Sequence, residues 1–424
     1  MPRASDALRS MMLSASTVET PPRVGVVGAG LMGLGVAQAF AATGARVVLC
    51  GRDQDAALRG RARLQAVLLR QVARGRLAPD DGAAILLRVE SSTVVDGLRE
   101  CDLVIESVPE DRALKNAVLA NIERAAPNAI VASNTSGLAI GGLARAFADP
   151  SRFLGLHFFS PAERMPLVEI AVGAHTADAV VRRALAFVRG AGKRPIVVRD
   201  GPGFFASRVF AAYLDEGVAM AAEGVAVESI ESAAIDIGRA LGPLAMLDET
   251  GISLNLSQAR QARADSLEAR FCRPLAESSL ARLVAAGRSG RRSGGGFFDW
   301  PDEGVRRPWP GLASLLPAAA HQPRPDALRL RLLCAEAREA LRCLEEGVIR
   351  SADDGDAASV LGLGFPKALG GVLRWAEDFG LGALTQALDR LAPAHGERFS
   401  PSLWLRGLAA RGEGLSAYRG KDLP

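Results

Sequence analysis

Four histidines occur in the 424-residue chain, and one of them stands apart by its setting. His175, His321 and His395 lie in turn-like or Ala/Pro-rich segments and read as loop residues. His157 instead closes the apolar run Phe153-Leu154-Gly155-Leu156-His157-Phe158-Phe159. An imidazole can take up or release a proton near neutral pH, so the chemistry on offer is acid–base catalysis. Taken alone, His157 also reads as a hydrogen-bonded core histidine. A second set of residues points to a ligand. Gly28-Ala29-Gly30-Leu31-Met32-Gly33 has the spacing G-x-G-x-x-G. In such a turn the first glycine makes the tight bend and the second lets a pyrophosphate approach the backbone. The third lets the following helix pack close to the strand. The helix start then offers unpaired N–H groups and a partial positive charge to a diphosphate.

Both sets need a scaffold. Val24-Gly25-Val26-Val27 is a strand pattern before the turn, and a helical pattern follows it to Ala42. Thr43-Gly44 stops that helix, and Val47-Val48-Leu49-Cys50 reads as a second strand. Glycine spacing in a strand–turn–helix–strand context predicts dinucleotide binding. Leu103–Val108, Ala129–Ser133, Phe153–Phe159 and Leu167–Ile170 read as further strands, alternating with helical stretches. This order predicts an α/β Rossmann-type, doubly wound and mostly parallel sheet. His157 would then open on the crevice beyond the strand ends.

The end of the second strand sets the choice of dinucleotide. An acidic residue usually stands there and bonds the adenosine ribose. Here the residues are Gly51-Arg52. One reading is that the guanidinium meets a 2′-phosphate, hence NADP. The other is that Asp53 bonds the ribose and Arg52 stacks on adenine, hence NAD. Both stay open at the level of sequence.

Composition excludes several classes. Lys+Arg 51 against Asp+Glu 47 leaves +4, too small an excess to argue for nucleic acid. No run reaches the roughly 18 apolar residues of a membrane span. The five cysteines are scattered without a CxxC pair, which predicts reduced thiols, a cytoplasmic setting and no metal site. The first 20 or so residues lack the apolar stretch of a secretory signal and read as a disordered lead-in over 1–22.

Several segments together resemble the 3-hydroxyacyl-CoA dehydrogenase family. They are the GAGLMG turn, Ser133-Asn134-Thr135-Ser136, Gly155-Leu156-His157-Phe158-Phe159-Ser160-Pro161 and Met165-Pro166-Leu167-Val168-Glu169. Gly242–Gly251 and Arg291–Phe298 resemble that family's second-domain signature. The resemblance runs from about Arg23 to the C-terminus and is closest to the dehydrogenase half of the multifunctional fatty-acid oxidation enzymes. Their upstream hydratase is not expected in the short lead-in. The resemblance implies an (S)-3-hydroxyacyl-CoA dehydrogenase, with hydride moving between substrate C3 and the nicotinamide of NAD or NADP. It implies His157 as acid/base, Glu169 as the carboxylate partner of its imidazole, and Ser136 as a hydroxyl on the substrate oxygen. Ser136 read without the family is a helix N-cap. Glu110, Lys115, Ser160 and Arg292 match cofactor contacts, the lysine also on the CoA side; alone, Glu110 is a helix-start acid and Lys115 a solvated residue. One position departs. The family's Gly-Phe-x-x-Asn-Arg segment is here Gly203-Phe204-Phe205-Ala206-Ser207-Arg208, so a serine stands where an asparagine bonds the substrate carbonyl. Serine brings one donor on a shorter arm. This departure and Gly51-Arg52 keep open a dehydrogenase on a carrier-protein thioester or small hydroxy acid, or a weakly active nucleotide-binding subunit.

After residue 202 the pattern turns helical, with one long helix expected from Arg208 to Gly224. Glu223-Gly224-Val225 is answered by Glu346-Gly347-Val348, and Leu241-Gly242-Pro243 by Leu363-Gly364-Phe365-Pro366. The expected organisation is a nucleotide domain over 23–202, a helical substrate domain over 203–299, a linker over 300–325 and a second, related all-α domain over 326–424. Such a duplication resembles that of the multifunctional enzymes. Acyl-CoA or another acyl-thioester is the expected substrate; a homodimer, or a separate hydratase or thiolase, stays open as partner.

Overall fold

The structure is a computed structural model that describes residues 21–93, 97–265, 268–271, 273–301 and 305–415. Residues 1–20 of the expected lead-in and Cys272 lie outside the described residues. The chain divides into two compact units. The first runs to Asn134 and includes Leu143–Met165 and His175–Lys193. The second comprises Thr135–Gly142, Pro166–Ala174 and the chain from Arg194.

The first unit holds β1 (Arg23–Val27), β2 (Arg46–Cys50), β3 (Val89–Ser92), β4 (Leu103–Glu106), β5 (Ile130–Ser133) and β6 (Phe153–Phe158). Their order is β3-β2-β1-β4-β5-β6, and the pairings are parallel. Val27 lies opposite both Cys50 and Glu106, so β1, β2 and β4 end level. β4, β5 and β6 are buried along their whole length. That is why they read as near-continuous apolar runs, as expected of a parallel sheet covered on both faces. β3 escapes a sequence reading because it is an edge strand of composition Val-Glu-Ser-Ser, with only its first residue buried.

In the second unit β7 (Leu167–Val172) pairs in parallel with β8 (Arg194–Arg199). β8 is also invisible to the sequence reading, since its apolar core is flanked by Arg194-Pro195 and Arg199. Ten longer helices follow in two sets of five. The first set is Ala206–Ala222, Val227–Ile237, Pro243–Thr250, Ile252–Ala264 and Pro274–Ala285. The second is Pro325–Glu345, Ala352–Gly362, Val372–Phe379, Leu381–His395 and Leu403–Arg411. The sets share local devices. Gly251 (φ 98°) separates the third and fourth helices of one, and Gly380 (φ 89°) does so in the other. Glu231 accepts Leu244 N at 3.0 Å at one third-helix start; Asp356 accepts Leu373 N at 2.8 Å and Arg374 N at 3.0 Å at the other. Each carboxylate thereby satisfies N–H groups that a helix leaves unpaired. Leu328 and Leu332 of the second set join Tyr213, Ile230 and Leu244 of the first in one apolar core. Within the expected linker, Leu312 lies in that core, and Ala319 N donates to Gly224 O at 2.8 Å. Among the described residues no helix is long and apolar enough to cross a membrane.

Candidate active site

The glycine turn follows β1 and opens the helix Leu31–Ala42. Gly28 has φ 115°, and its N–H donates to Cys50 O at 2.9 Å. A Cβ on Gly28 would stand 2.4 Å from Ser107 O, and one on Gly33 1.8 Å from Gly28 O. These two positions are closed to any side chain. Gly30 differs: nothing lies within 4 Å of where its Cβ would be. Its backbone borders open space in front of a helix whose first turn carries no acidic residue. Ala29 is half-buried, its methyl accommodated by Gly60, while Met32 is half-buried and Leu31 exposed. This cradle fits the diphosphate of a dinucleotide.

At the end of β2, a Cβ on Gly51 would stand 2.5 Å from Ala57 N, so no acidic side chain could occupy position 51. Asp53 is committed elsewhere. Its Oδ1 accepts Ala56 N at 2.7 Å as the cap of helix Gln54–Ala73, and its Oδ2 accepts Arg52 Nε at 3.1 Å. These bonds, the backbone one first, hold its carboxyl below the usual value. The Arg52 side chain is 84% exposed beyond the strand end.

The carboxyl ends of β4, β5 and β6 are stitched together by side chains. Glu106 accepts Lys115 Nζ at 2.8 Å, Ser133 Oγ at 2.6 Å and Val108 N at 2.7 Å. Lys115 also pairs with Glu110 at 3.3 Å. Lys115 is only 1% exposed and is held inside by Glu106. It braces the turn that carries Glu110; it does not project from the surface. Asn134 donates to Ser107 Oγ at 3.3 Å and accepts Phe158 N at 2.9 Å, which fixes the strand end next to His157. His157 is buried, its ring 4.5 Å from that of Phe159. Ser160 is exposed.

In the second unit, buried Glu169 accepts Ala206 N at 2.8 Å and Phe205 N at 3.2 Å. The carboxylate thus sits at the N-terminus of helix Ala206–Ala222, where the helix dipole favours negative charge. The chain enters that helix through Gly203 (φ 73°) and Phe204 (φ 50°), a buried non-glycine in the left-handed region. Ser207, one residue past the capped N–H groups, is half-buried and has no side-chain hydrogen bond among the described residues. Ser136 Oγ accepts Gln258 Nε2 at 3.1 Å. Its loop is tied down by Asp200, which accepts Ile140 N at 2.6 Å and Gly141 N at 2.7 Å, and by Gly203 N donating to Gly137 O at 3.1 Å. Arg292 is exposed in a short turn.

Sequence reasoning missed Glu106, Asp200 and Gln258. Glu106 had a signal, a carboxylate closing the apolar run Leu-Val-Ile. Asp200 and Gln258 had none, because their partners lie far away along the chain.

Comparison with known proteins adds to this geometry. The family model described as 3-hydroxyacyl-CoA dehydrogenase, NAD binding domain, matches residues 23–201. The model for the C-terminal domain of the same family matches residues 203–300. The fatty acid oxidation complex subunit alpha of Shewanella oneidensis is 32% identical over 428 residues, covering 96% of this chain and 59% of that protein. The chain therefore spans about three-fifths of the curated relatives it matches. The solved 3-hydroxybutyryl-CoA dehydrogenase of Escherichia coli has a TM-score of 0.79 at 28% identity, covering 92% of this chain and 99% of that one. The (S)-3-hydroxybutyryl-CoA dehydrogenase of Ralstonia eutropha has a TM-score of 0.62 at 32% identity, covering 67% of this chain and all of that one.

Proposed function

Because the chain belongs to the 3-hydroxyacyl-CoA dehydrogenase family, we propose that it interconverts (S)-3-hydroxyacyl and 3-oxoacyl thioesters with a nicotinamide dinucleotide. The observation that carries this reading is that parallel strands of one sheet bring the Gly28–Gly33 turn, after β1, and His157, at the end of β6, to the same carboxyl edge. Ligands of open α/β sheets bind at that edge.

The nicotinamide, when bound, supplies the hydride acceptor, or the donor in the reverse direction. The protein supplies the rest. Gly28, Gly30 and Gly33 shape the cradle for the diphosphate, and Glu110, braced by Lys115, stands at the turn after β4. His157 removes the proton of the C3 hydroxyl, and returns it to the oxygen in the reverse reaction. Glu169 is the carboxylate that stabilises the imidazolium. Two backbone N–H groups anchor it in place. Ser136 donates to the C3 oxygen, and Ser207 offers its hydroxyl to the thioester carbonyl. Both act as donors aimed where negative charge develops. Ser160 and Arg292 border the cofactor in this reading.

For the cofactor we favour NADP. Position 51 admits no acidic side chain, Asp53 is occupied as a helix cap, and Arg52 is the exposed charge at the end of β2. A separate hydratase or thiolase as partner, and a cytoplasmic location, belong to the same proposal, by analogy with the fatty acid oxidation complex relatives. The test is oxidation of NADPH and NADH, followed at 340 nm, with acetoacetyl-CoA as substrate. Faster turnover with NADPH is expected. No turnover with either cofactor overturns the reading.

A further inference from the structure

The Gln258 side chain has one hydrogen-bond partner among the described residues, and it is Ser136. Gln258 lies on helix Ile252–Ala264, whose buried face is Ile252, Leu256 and Ala259. The start of that helix is pinned by Asn255, which donates to Thr250 Oγ1 at 3.1 Å and Gly251 O at 3.0 Å. Gln258 is therefore delivered from a fixed support to a loop that is itself fixed through Asp200 and Gly203. It is half-buried, a setting in which polar groups are normally paired. Yet its second amide hydrogen and its carbonyl oxygen have no partner among the described residues.

We propose that Gln258 is a positioning residue that sets the direction of the Ser136 hydroxyl toward the substrate oxygen. This rests on the dehydrogenase reading above. An amide nitrogen can only donate, so the bond to Gln258 occupies a lone pair of Ser136 Oγ and leaves the hydroxyl proton to be given elsewhere. The incoming hydrogen bond also polarises the O–H and strengthens its onward donation. The amide is uncharged, so it adds no net charge near the reacting carbon.

Gln258→Glu tests the idea because it keeps the shape and reverses the bond. A carboxylate accepts only, and it draws the Ser136 proton away from the substrate. With acetoacetyl-CoA, kcat should fall roughly 100-fold in Gln258→Glu, on the scale of losing a placed donor. In Gln258→Met, which removes the bond without reversing it, kcat should fall about tenfold. Cofactor affinity by fluorescence titration and Tm should stay near wild type in both. In Ser136→Ala, adding Gln258→Glu should cost little more, because the two act as a unit. A Gln258→Glu kcat within twofold of wild type, a loss that adds fully to that of Ser136→Ala, or a larger loss in Gln258→Met would overturn the proposal. A wild-type enzyme inert with acetoacetyl-CoA and both cofactors overturns the dehydrogenase reading and this proposal with it. Activity abolished by His157→Ala but untouched by Gln258→Glu overturns the proposal alone.

Discussion

Arg208 and Arg331 make the same contact in opposite directions. Arg208 donates to Glu339 at 2.6 Å and to Glu346 at 2.8 Å, while Arg331 pairs with Glu216 and, at 2.6 Å, with Glu223. The triplets Arg208, Glu216, Glu223 and Arg331, Glu339, Glu346 have identical spacing. Reciprocal contact of this kind is the signature of a two-fold interface, which normally joins two chains. Here both halves lie in one chain. We read the two five-helix sets as a duplication, and the ion pairs as the seam between the copies.

Arg208→Met should destabilise the second unit by about 1–3 kcal/mol, because Glu339 and Glu346 lose their buried partner while Arg342 and Arg270 still face them. Arg331→Met should cost a similar amount. Urea melts followed by circular dichroism measure both. Near-neutral values would mean that the pairs are solvated and the seam is purely apolar.

The seam should also be acid-sensitive. Burial opposes ionisation of Glu223 and Glu346, but Arg331 at the first, and Arg208 and Arg270 at the second, outweigh it. Both carboxyls are held below their ordinary value of 4.5. A lowered folded-state pKa contributes stability that is complete above the unfolded value and is lost as pH falls through the folded one. Tm should therefore be flat from pH 7 to about 5 and drop below about 4.5. Glu346→Gln should lower Tm at pH 7 and weaken the acid limb; an unchanged limb would sink the assignment.

His157→Ala should lower kcat by roughly 10²–10⁴-fold, the range of a lost general acid–base group. Cofactor affinity should change little, since the glycine turn lies on a different strand. Activity near wild type would remove His157 from the acid–base role.

Gly30→Ala and Gly33→Ala separate binding from folding. The first methyl would enter open space at φ −78°, where alanine is unstrained, so Tm should hold while cofactor affinity falls. The second would collide with Gly28 O, so Tm itself should drop. Parallel thermal melts and cofactor titrations distinguish the two. Equal effects would mean that Gly30 does not border the diphosphate.

Arg52→Ala should weaken NADPH binding tenfold or more and leave NADH within about threefold, as expected for loss of a charge-assisted bond to a phosphate. A uniform loss for both dinucleotides would place Arg52 against adenine instead.

How much of this was legible in the sequence depended on where each residue's partner lies. The glycine turn and the strand ending in His157 could be read because their chemistry is local: three glycines at fixed spacing, and a polar residue closing an apolar run. β3 and β8 could not, because Val-Glu-Ser-Ser and Arg-Pro-Ile-Val-Val-Arg lack the continuous apolar character of buried strands. Lys115, which the family resemblance matches to a cofactor contact, reads on its own as a solvated residue because its partner Glu106 sits on another element, and only the fold shows that the pair is buried. Helix Ala206–Ala222 begins two residues before the expected Arg208, because Glu169 caps it from β7. Gln258 is the limiting case: Ser136 is its partner 122 residues away, and no local pattern marks the pairing.

The seam between the two helix sets has a consequence for dilution. An interface between separate chains comes apart as concentration falls, and its melting point falls with it. Here the partner is tethered, so its effective concentration is set by the intervening chain and not by the solution. The closure of Arg208 on Glu346 is then unimolecular, and the second unit should melt at the same temperature at nanomolar and at micromolar protein.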